Sequence, residues 1–318
     1  MFRRILVPLD GSARAERALP VAAHLARRSG GTLVLLRVAP SHVPHSPIFE
    51  PPQALLAHVG DELDEARQYV ANIAASDFVA GATVEMRVLE GDPAATILEA
   101  VGTERADLVV LCRHGHTGPV RWPLGSVARK VIRHVTVPAL IGHEGGNLPG
   151  SGAGASPATP RHAVVALDGS PLAERAVLPA ADLLEALSDG ETAELRLLSI
   201  VPEDGSAEDA ASYLRSLSER LTRSPLAGRS LRVIGALRRA DDVAGALLHV
   251  MEGPPHWGQG PPHWGQGLGP DGTPVPPPDF LAMATHGRTG VQRWMLGSVT
   301  ERVLQVSLAP LLIVRARS

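Results

Sequence analysis

The chain has 318 residues, 44% of them hydrophobic and 20% charged, with a formal net charge of −3, a composition that suits about two average folded domains. That charge gives no basic footprint for nucleic acid, and no apolar stretch is long enough to span a bilayer. Cys112 is the single cysteine, which excludes an intramolecular disulfide and fits a reducing compartment.

The chain opens on an apolar run, Ile5–Leu9, that reads as a buried strand leading into Asp10-Gly11-Ser12. It begins as a strand rather than as a signal peptide, so the expected location is cytoplasmic. A helical pattern over Ala15–Ser29 follows, and Pro20 inside it implies a kink or a late helix start. Further strands are expected at Leu33–Val38, Val84–Leu89, Leu108–Cys112 and Ala139–Ile141, with helices over Glu62–Ala75, Ala94–Gly102 and Ser126–His134 between them. Aromatics are only 3%, so the core must be aliphatic, as in a sheet covered on both faces. Alternating strand and helix predicts a doubly wound α/β fold with a five-stranded, mostly parallel open sheet.

Residues 144–160, rich in Gly, Pro and Ser, read as a flexible linker. The pattern then starts again. Ile5-Leu6-Val7-Pro8-Leu9-Asp10-Gly11-Ser12 returns as Val164-Val165-Ala166-Leu167-Asp168-Gly169-Ser170, and Ala15-Glu16-Arg17-Ala18 as Ala173-Glu174-Arg175-Ala176. His114-Gly115-His116-Thr117-Gly118 matches His286-Gly287-Arg288-Thr289-Gly290, and Leu124-Gly125-Ser126-Val127 matches Leu296-Gly297-Ser298-Val299. Both halves finish on an apolar run after a proline, Pro138 or Pro310. Several identities in one order define two homologous domains, 1–143 and 161–318. The second has a shorter middle and an insertion at about 253–278, in which Gly-Pro-Pro-His-Trp-Gly-Gln occurs twice in succession; its composition predicts a surface excursion without catalytic role.

In an open parallel sheet, ligands settle outside the carboxyl ends of the strands where the strand order reverses. Three segments per half should meet there: Asp10 or Asp168 after strand 1, Val38 or Ile200 at the end of strand 2, and the loop after strand 4 leading to Gly125-Ser126 or Gly297-Ser298. A helix that opens on Gly-Ser presents unpaired N–H groups in a positive dipole field, which suits phosphate. Gly115 and Gly287 admit close backbone approach, and Arg113, Arg121, Arg288 and Arg293 are candidate charges. Asp10 and Asp168 suit ribose hydroxyls or a helix cap, and Asp242 places a negative charge near the second anion site.

The spacing Cys112-x2-Gly115-x9-Gly125-Ser126, with its copy Ala284-x2-Gly287-x9-Gly297-Ser298, resembles the ATP-binding signature of the universal stress protein family. So do Ile-Leu-Val-Pro-Leu-Asp-Gly-Ser near the start and Glu90-Gly91-Asp92-Pro93-Ala94 after strand 3. The resemblance implies ATP, with or without Mg, at Pro8, Asp10, Val38, Cys112, Gly115, Gly125, Ser126 and Val127 in the first half. In the second it implies Ala166, Asp168, Ile200, Ala284, Gly287, Arg288, Gly297, Ser298 and Val299. It also implies pairing of the two domains through their last strands, with a homodimer as a further expectation. The sequence departs from the signature where its first glycine is Cys112 or Ala284.

No Walker lysine and no acidic cluster are present, so at most slow ATP hydrolysis is expected. A nucleotide-free assembly module and a nucleotide-activating enzyme are the competing readings, though Asp-Gly-Ser is not the phosphate loop that such an enzyme needs. A Gly-x-Gly-x-x-Gly dinucleotide loop is also missing after strand 1. Ser12 and Ser170 lack a nucleophile elbow, His256 and His263 lack companions for a metal, and Cys112 reads as an inert buried thiol.

Overall fold

The computed structural model describes residues 2–40, 53–113, 124–142, 161–252, 277–285 and 296–315, with residues 53–59 described by their backbone alone. The linker, nearly all of the insertion, and Gly115, Gly287, Arg288, Arg121 and Arg293 lie outside the described residues. Two compact units divide the chain, Phe2–Val137 and Pro138–Ser318.

In the first unit, β1 (Arg4–Leu9) leads to α1 (Ala13–Glu16) and α2 (Leu19–Ser29), and β2 (Thr32–Ala39) to α3 (Gln53–Ala74). Then come β3 (Thr83–Glu90), α4 (Pro93–Thr103), β4 (Leu108–Cys112) and α5 (Ser126–His134). The strands pair in the order β3-β2-β1-β4, all parallel. The chain thus winds outward from β1 to β3 and then crosses back to β4, which is the doubly wound α/β arrangement. Successive residues Leu33, Val34, Leu35 and Leu36 are all fully buried. Since neighbours on a strand point to opposite faces, both faces of β2 are covered.

One predicted helix is two. Pro20 carries no N–H for the Glu16 carbonyl, so the chain ends α1 at Glu16 and restarts with Pro20 near the first position of α2, where that missing donor costs nothing. The second unit breaks its first helix at the matching place, between Glu174 and Val177, with Pro179 the third residue of the restarted helix.

That unit holds β5 (Ala139–Gly142), β6 (His162–Leu167), α6 (Pro171–Glu174), α7 (Val177–Leu187), β7 (Ala193–Val201) and α8 (Ala207–Arg223). It continues with β8 (Leu231–Arg239), α9 (Val243–Glu252), β9 (Phe280–Ala284), α10 (Ser298–Val306) and β10 (Leu311–Val314). Its strand order is β5-β10-β9-β6-β7-β8. β6 to β10 repeat the parallel arrangement, and β5, the last strand of the first sequence repeat, joins this unit antiparallel to β10 with Leu312 opposite Leu140.

Glycine positions show how tightly the first unit is built. A Cβ on Gly31 would lie 2.4 Å from the Arg3 carbonyl oxygen, the acceptor of the Thr32 amide at the start of the β1–β2 ladder. A Cβ on Gly60, inside α3, meets nothing within 4 Å. The two substitutions to alanine therefore have opposite signs. Gly31→Ala is expected to cost about 1–3 kcal/mol through overpacking, and Gly60→Ala to add roughly 0.5–1 kcal/mol through helix propensity, both read by urea denaturation.

On β7, burial works to raise the Glu194 carboxyl, but Arg196 and Arg232, each with a guanidinium nitrogen 2.5 Å away, outweigh it and hold the group below its ordinary value. A carboxyl lowered in the folded state contributes stability that is complete above its unfolded value and disappears as pH falls through the folded one. Glu194→Gln is expected to cost about 1–2 kcal/mol near neutral pH. The penalty should shrink below about pH 4, and denaturation midpoints measured at both pH values would show it.

Candidate functional site

Each sheet reverses its winding beside its first strand, between β1 and β4 in one unit and between β6 and β9 in the other. There the two strands part, and the crevice at their carboxyl ends is the expected ligand position. The β1–β2 ladder stops at Leu9↔Arg37 while β2–β3 runs on to Ala39↔Glu90, so Val38 lies one step beyond the end of β1. Ile200 holds the same place, because β6–β7 stops at Leu167↔Ser199 and β7–β8 continues to Val201↔Arg239. Pro8 and Ala166 are half-buried near the ends of β1 and β6, and Cys112 and Ala284 are buried at the ends of β4 and β9.

The turn after β1 is fixed by its own side chains. Asp10 Oδ1 accepts from the Ser12 amide at 3.1 Å and from the Ser12 hydroxyl at 2.6 Å, and Ser12 Oγ accepts from the Ala15 amide. Asp168 Oδ1 accepts from the Ser170 amide at 2.9 Å, and Ser170 Oγ from the Ala173 amide. The helix cap is thus the serine, and the aspartate shapes the turn that presents it. Gly11 and Gly169 have φ of +84° and +82°, so only glycine fits without strain.

Across the crevice, α5 and α10 each begin with an extended glycine, Gly125 (φ −61°, ψ 152°) and Gly297 (φ −60°, ψ 147°), without a side-chain cap. The glycine amides are engaged: Gly125 donates to the Arg113 carbonyl and Gly297 to the Thr285 carbonyl, both at 2.8 Å. The open donors are therefore the next amides, of Ser126 and Val127 and of Ser298 and Val299, which have no partner among the described residues. Ser126 and Ser298 are exposed and the valines half-buried. The helix start faces solvent rather than the core, with the positive end of its dipole outward.

Asp242 does not act as a loose negative charge. Its Oδ1 accepts from the Gly245 amide, capping α9, and both oxygens take Arg302 at 2.7 and 2.8 Å. The same design occurs in the first unit, where Asp92 caps α4 and stands 3.8 Å from Lys130. The sequence showed these acids but not their partners, which lie on the helix that follows two elements later.

Two further pairs were not visible as contacts in the sequence. The Tyr69 hydroxyl donates to Glu16 at 2.9 Å, and the Tyr213 hydroxyl to Glu174 at 3.1 Å. They explain the repeated Ala-Glu-Arg-Ala, whose glutamate ties α1 to α3 and α6 to α8. Burial foremost, with the neighbouring Glu16 and Asp10 charges, pushes the Tyr69 phenol above its ordinary value; burial, Glu174 and Asp168 do so for Tyr213. Arg37 was also missed. Its Nη1 donates to the Leu9 carbonyl at 3.3 Å, reaching across the end of β1. An arginine interrupting the apolar run Leu33–Val38 was the only signal for it.

The profile of the universal stress protein family matches residues 1–143 and 277–315. A universal stress protein of Bacillus subtilis is 30% identical over 146 residues, covering 44% of this chain and 99% of that protein. One of Mycobacterium tuberculosis is 27% identical over 329 residues, covering 98% of this chain and 96% of its own. Among solved structures, a universal stress protein from Archaeoglobus fulgidus covers 99% of this chain and 98% of its own at a TM-score of 0.66 and 18% identity, a likeness of fold. The doubled α/β unit, the paired Asp-Gly-Ser turns and these matches agree: the chain belongs to the universal stress protein family.

Proposed function

We infer that each repeat is a nucleotide site, with ATP the ligand that suits it best, and that occupancy tunes conformation or partner choice in a stress response. The observation that carries this is the pair of solvent-facing helix starts, one in each repeat, each opposite an Asp-turn at the point where the sheet reverses. Phosphate oxygens would take the Ser126 and Val127 amides, or those of Ser298 and Val299, in the favourable field of the helix end. Asp10 and Asp168 stand at the strand ends where a ribose would lie, and the buried end of β2 and the half-buried end of β7 border the place of the base.

The residues present fit such a group. A buried guanidinium, Arg113, adjoins one helix start and its Nη2 has no hydrogen-bond partner among the described residues. Among the described residues no group of three His, Cys, Asp or Glu would hold a metal ion, so a Mg ion would be carried mainly by phosphate oxygens. The antiparallel register of β5 with β10 supports joining of the repeats through their last strands.

Calorimetric titration of ATP into the whole chain, and into Ser126→Pro and Ser298→Pro, tests the reading. The wild type should bind two nucleotides and each variant one. A wild type that gives no heat and no thermal shift with ATP would sink it.

A further inference from the structure

Two strands lie at sheet edges, β3 in the first unit and β8 in the second, and neither has a strand on its outer side among the described residues. β3 runs from Thr83 to Glu90, paired with β2 along its whole length, and holds no proline or glycine that would bend or blunt its outer side. Its side chains alternate: Val84, Met86 and Val88 share one face, and Glu85, Arg87 and Leu89 the other. Met86 is 50% exposed and Leu89 37%, while Val84 and Val88 are half-buried. A straight edge with exposed apolar side chains is a template for another strand. Its backbone is open at one point in particular. Arg87 Nη1 donates to the Met86 carbonyl at 2.9 Å in an exposed bond, so this carbonyl faces away from β2.

The order of side chains decides which strand fits. Let a second β3 lie antiparallel about a two-fold axis at Met86. Met86 then faces itself, Val84 faces Val88, and Glu85 faces Arg87, the last two pairs occurring twice by symmetry. Apolar residues meet on one face of the joined strands and opposite charges on the other, the combinations that stabilise cross-strand neighbours. With its carbonyl outward, Met86 forms the kind of pair in which two residues exchange both backbone bonds. The copy's amide takes the place of the guanidinium on that carbonyl. Arg87, whose Nη2 is 2.7 Å from its own Glu85, then has the copy's Glu85 opposite it as well.

β8 lacks this self-complementarity. It carries Arg232, Arg238 and Arg239 and no acid. A second β8 set about Gly235 would bring Arg232 against Arg238, and the central glycine offers no side chain to pack.

We propose that the β3 edge binds the β3 edge of a second copy of this chain, antiparallel about Met86, in a two-fold dimer. The contact is independent of the nucleotide reading. One added strand pair makes a small interface, so the association is micromolar and reversible rather than obligate.

Sedimentation velocity on the full chain tests this. The wild type should pass from the monomer mass toward twice that mass between about 1 and 100 µM. Because Met86 opposes itself, Met86→Lys and Met86→Glu should each weaken association by at least about 10-fold, since like charges then stand face to face. An equal mixture of the two variants should dimerise at least as well as the wild type. Leu308→Lys, at an apolar residue of the other unit that is 67% exposed, should leave the dimer intact. Thermal melting of each variant checks that it folds, and the exposure of Met86 predicts an unchanged Tm. The proposal is overturned by a wild type that stays monomeric at about 100 µM, by a dimer indifferent to both Met86 variants, or by a mixture that remains monomeric. Equal loss of the dimer in Leu308→Lys would overturn it too.

Discussion

Phe280→Ala is expected to lower the unfolding free energy of the Pro138–Ser318 unit by about 3–5 kcal/mol. Phe280 is fully buried in β9, between β10 and β6, and has the largest volume among the fully buried side chains of the described residues. The core around it is aliphatic, with aromatics only 3% of the chain, so few large neighbours can move in to fill the space. Close-packed interiors relax only partly around a deletion, and the residual cavity adds to the lost transfer free energy. Phe78 is the control: it is 48% exposed, and Phe78→Ala should change stability by no more than about 0.5 kcal/mol. Denaturant midpoints for the two variants, read by a probe in each unit, would separate them. Equal effects would mean that Phe280 is not packed as described.

The second large effect concerns the helix start rather than the core. Ser126→Pro should weaken nucleotide binding in the first repeat by about 10–100-fold, and Ser126→Ala by much less. An amide that donates to a charged oxygen contributes about 1.5–3 kcal/mol, and proline deletes that donor. The helix itself should tolerate the change. Ser126 is the first residue of α5, where proline is at home, and Gly125 already has the extended backbone that a residue before proline prefers. The melting temperature should therefore stay near that of the wild type while the calorimetric signal falls. Equal affinity in wild type and Ser126→Pro would show that the phosphate does not use this amide.

The sequence carried much of the fold because apolar periodicity and punctuation are local signals. The strands at residues 108–112 and the helix at residues 126–134 were read to the residue, since an uninterrupted apolar run and a Gly-Ser start leave little choice of boundary. The duplication was legible for a different reason: the repeated Asp-Gly-Ser and Gly-Ser segments are short turns whose backbone needs tie down residue identity. Pro20 was visible as a breaker, and the structure decided that it begins a second helix rather than bending one.

What the sequence by itself determined, then, is the alternation of elements, the two copies, the strand ends where Asp10 and Asp168 fall, and the helix starts at Ser126 and Ser298. The tertiary structure alone decided which groups answer one another across those ends. Gly125 and Gly297 donate inward and leave the next two amides open; Asp242 meets Arg302; Arg37 reaches across the end of β1 to the Leu9 carbonyl. It also put β5 beside β10 in the second unit's sheet. The physical reason is that local pattern fixes a residue's own backbone, whereas a hydrogen bond or a charge contact depends on the separation of groups distant in the chain, which only the packed sheet sets.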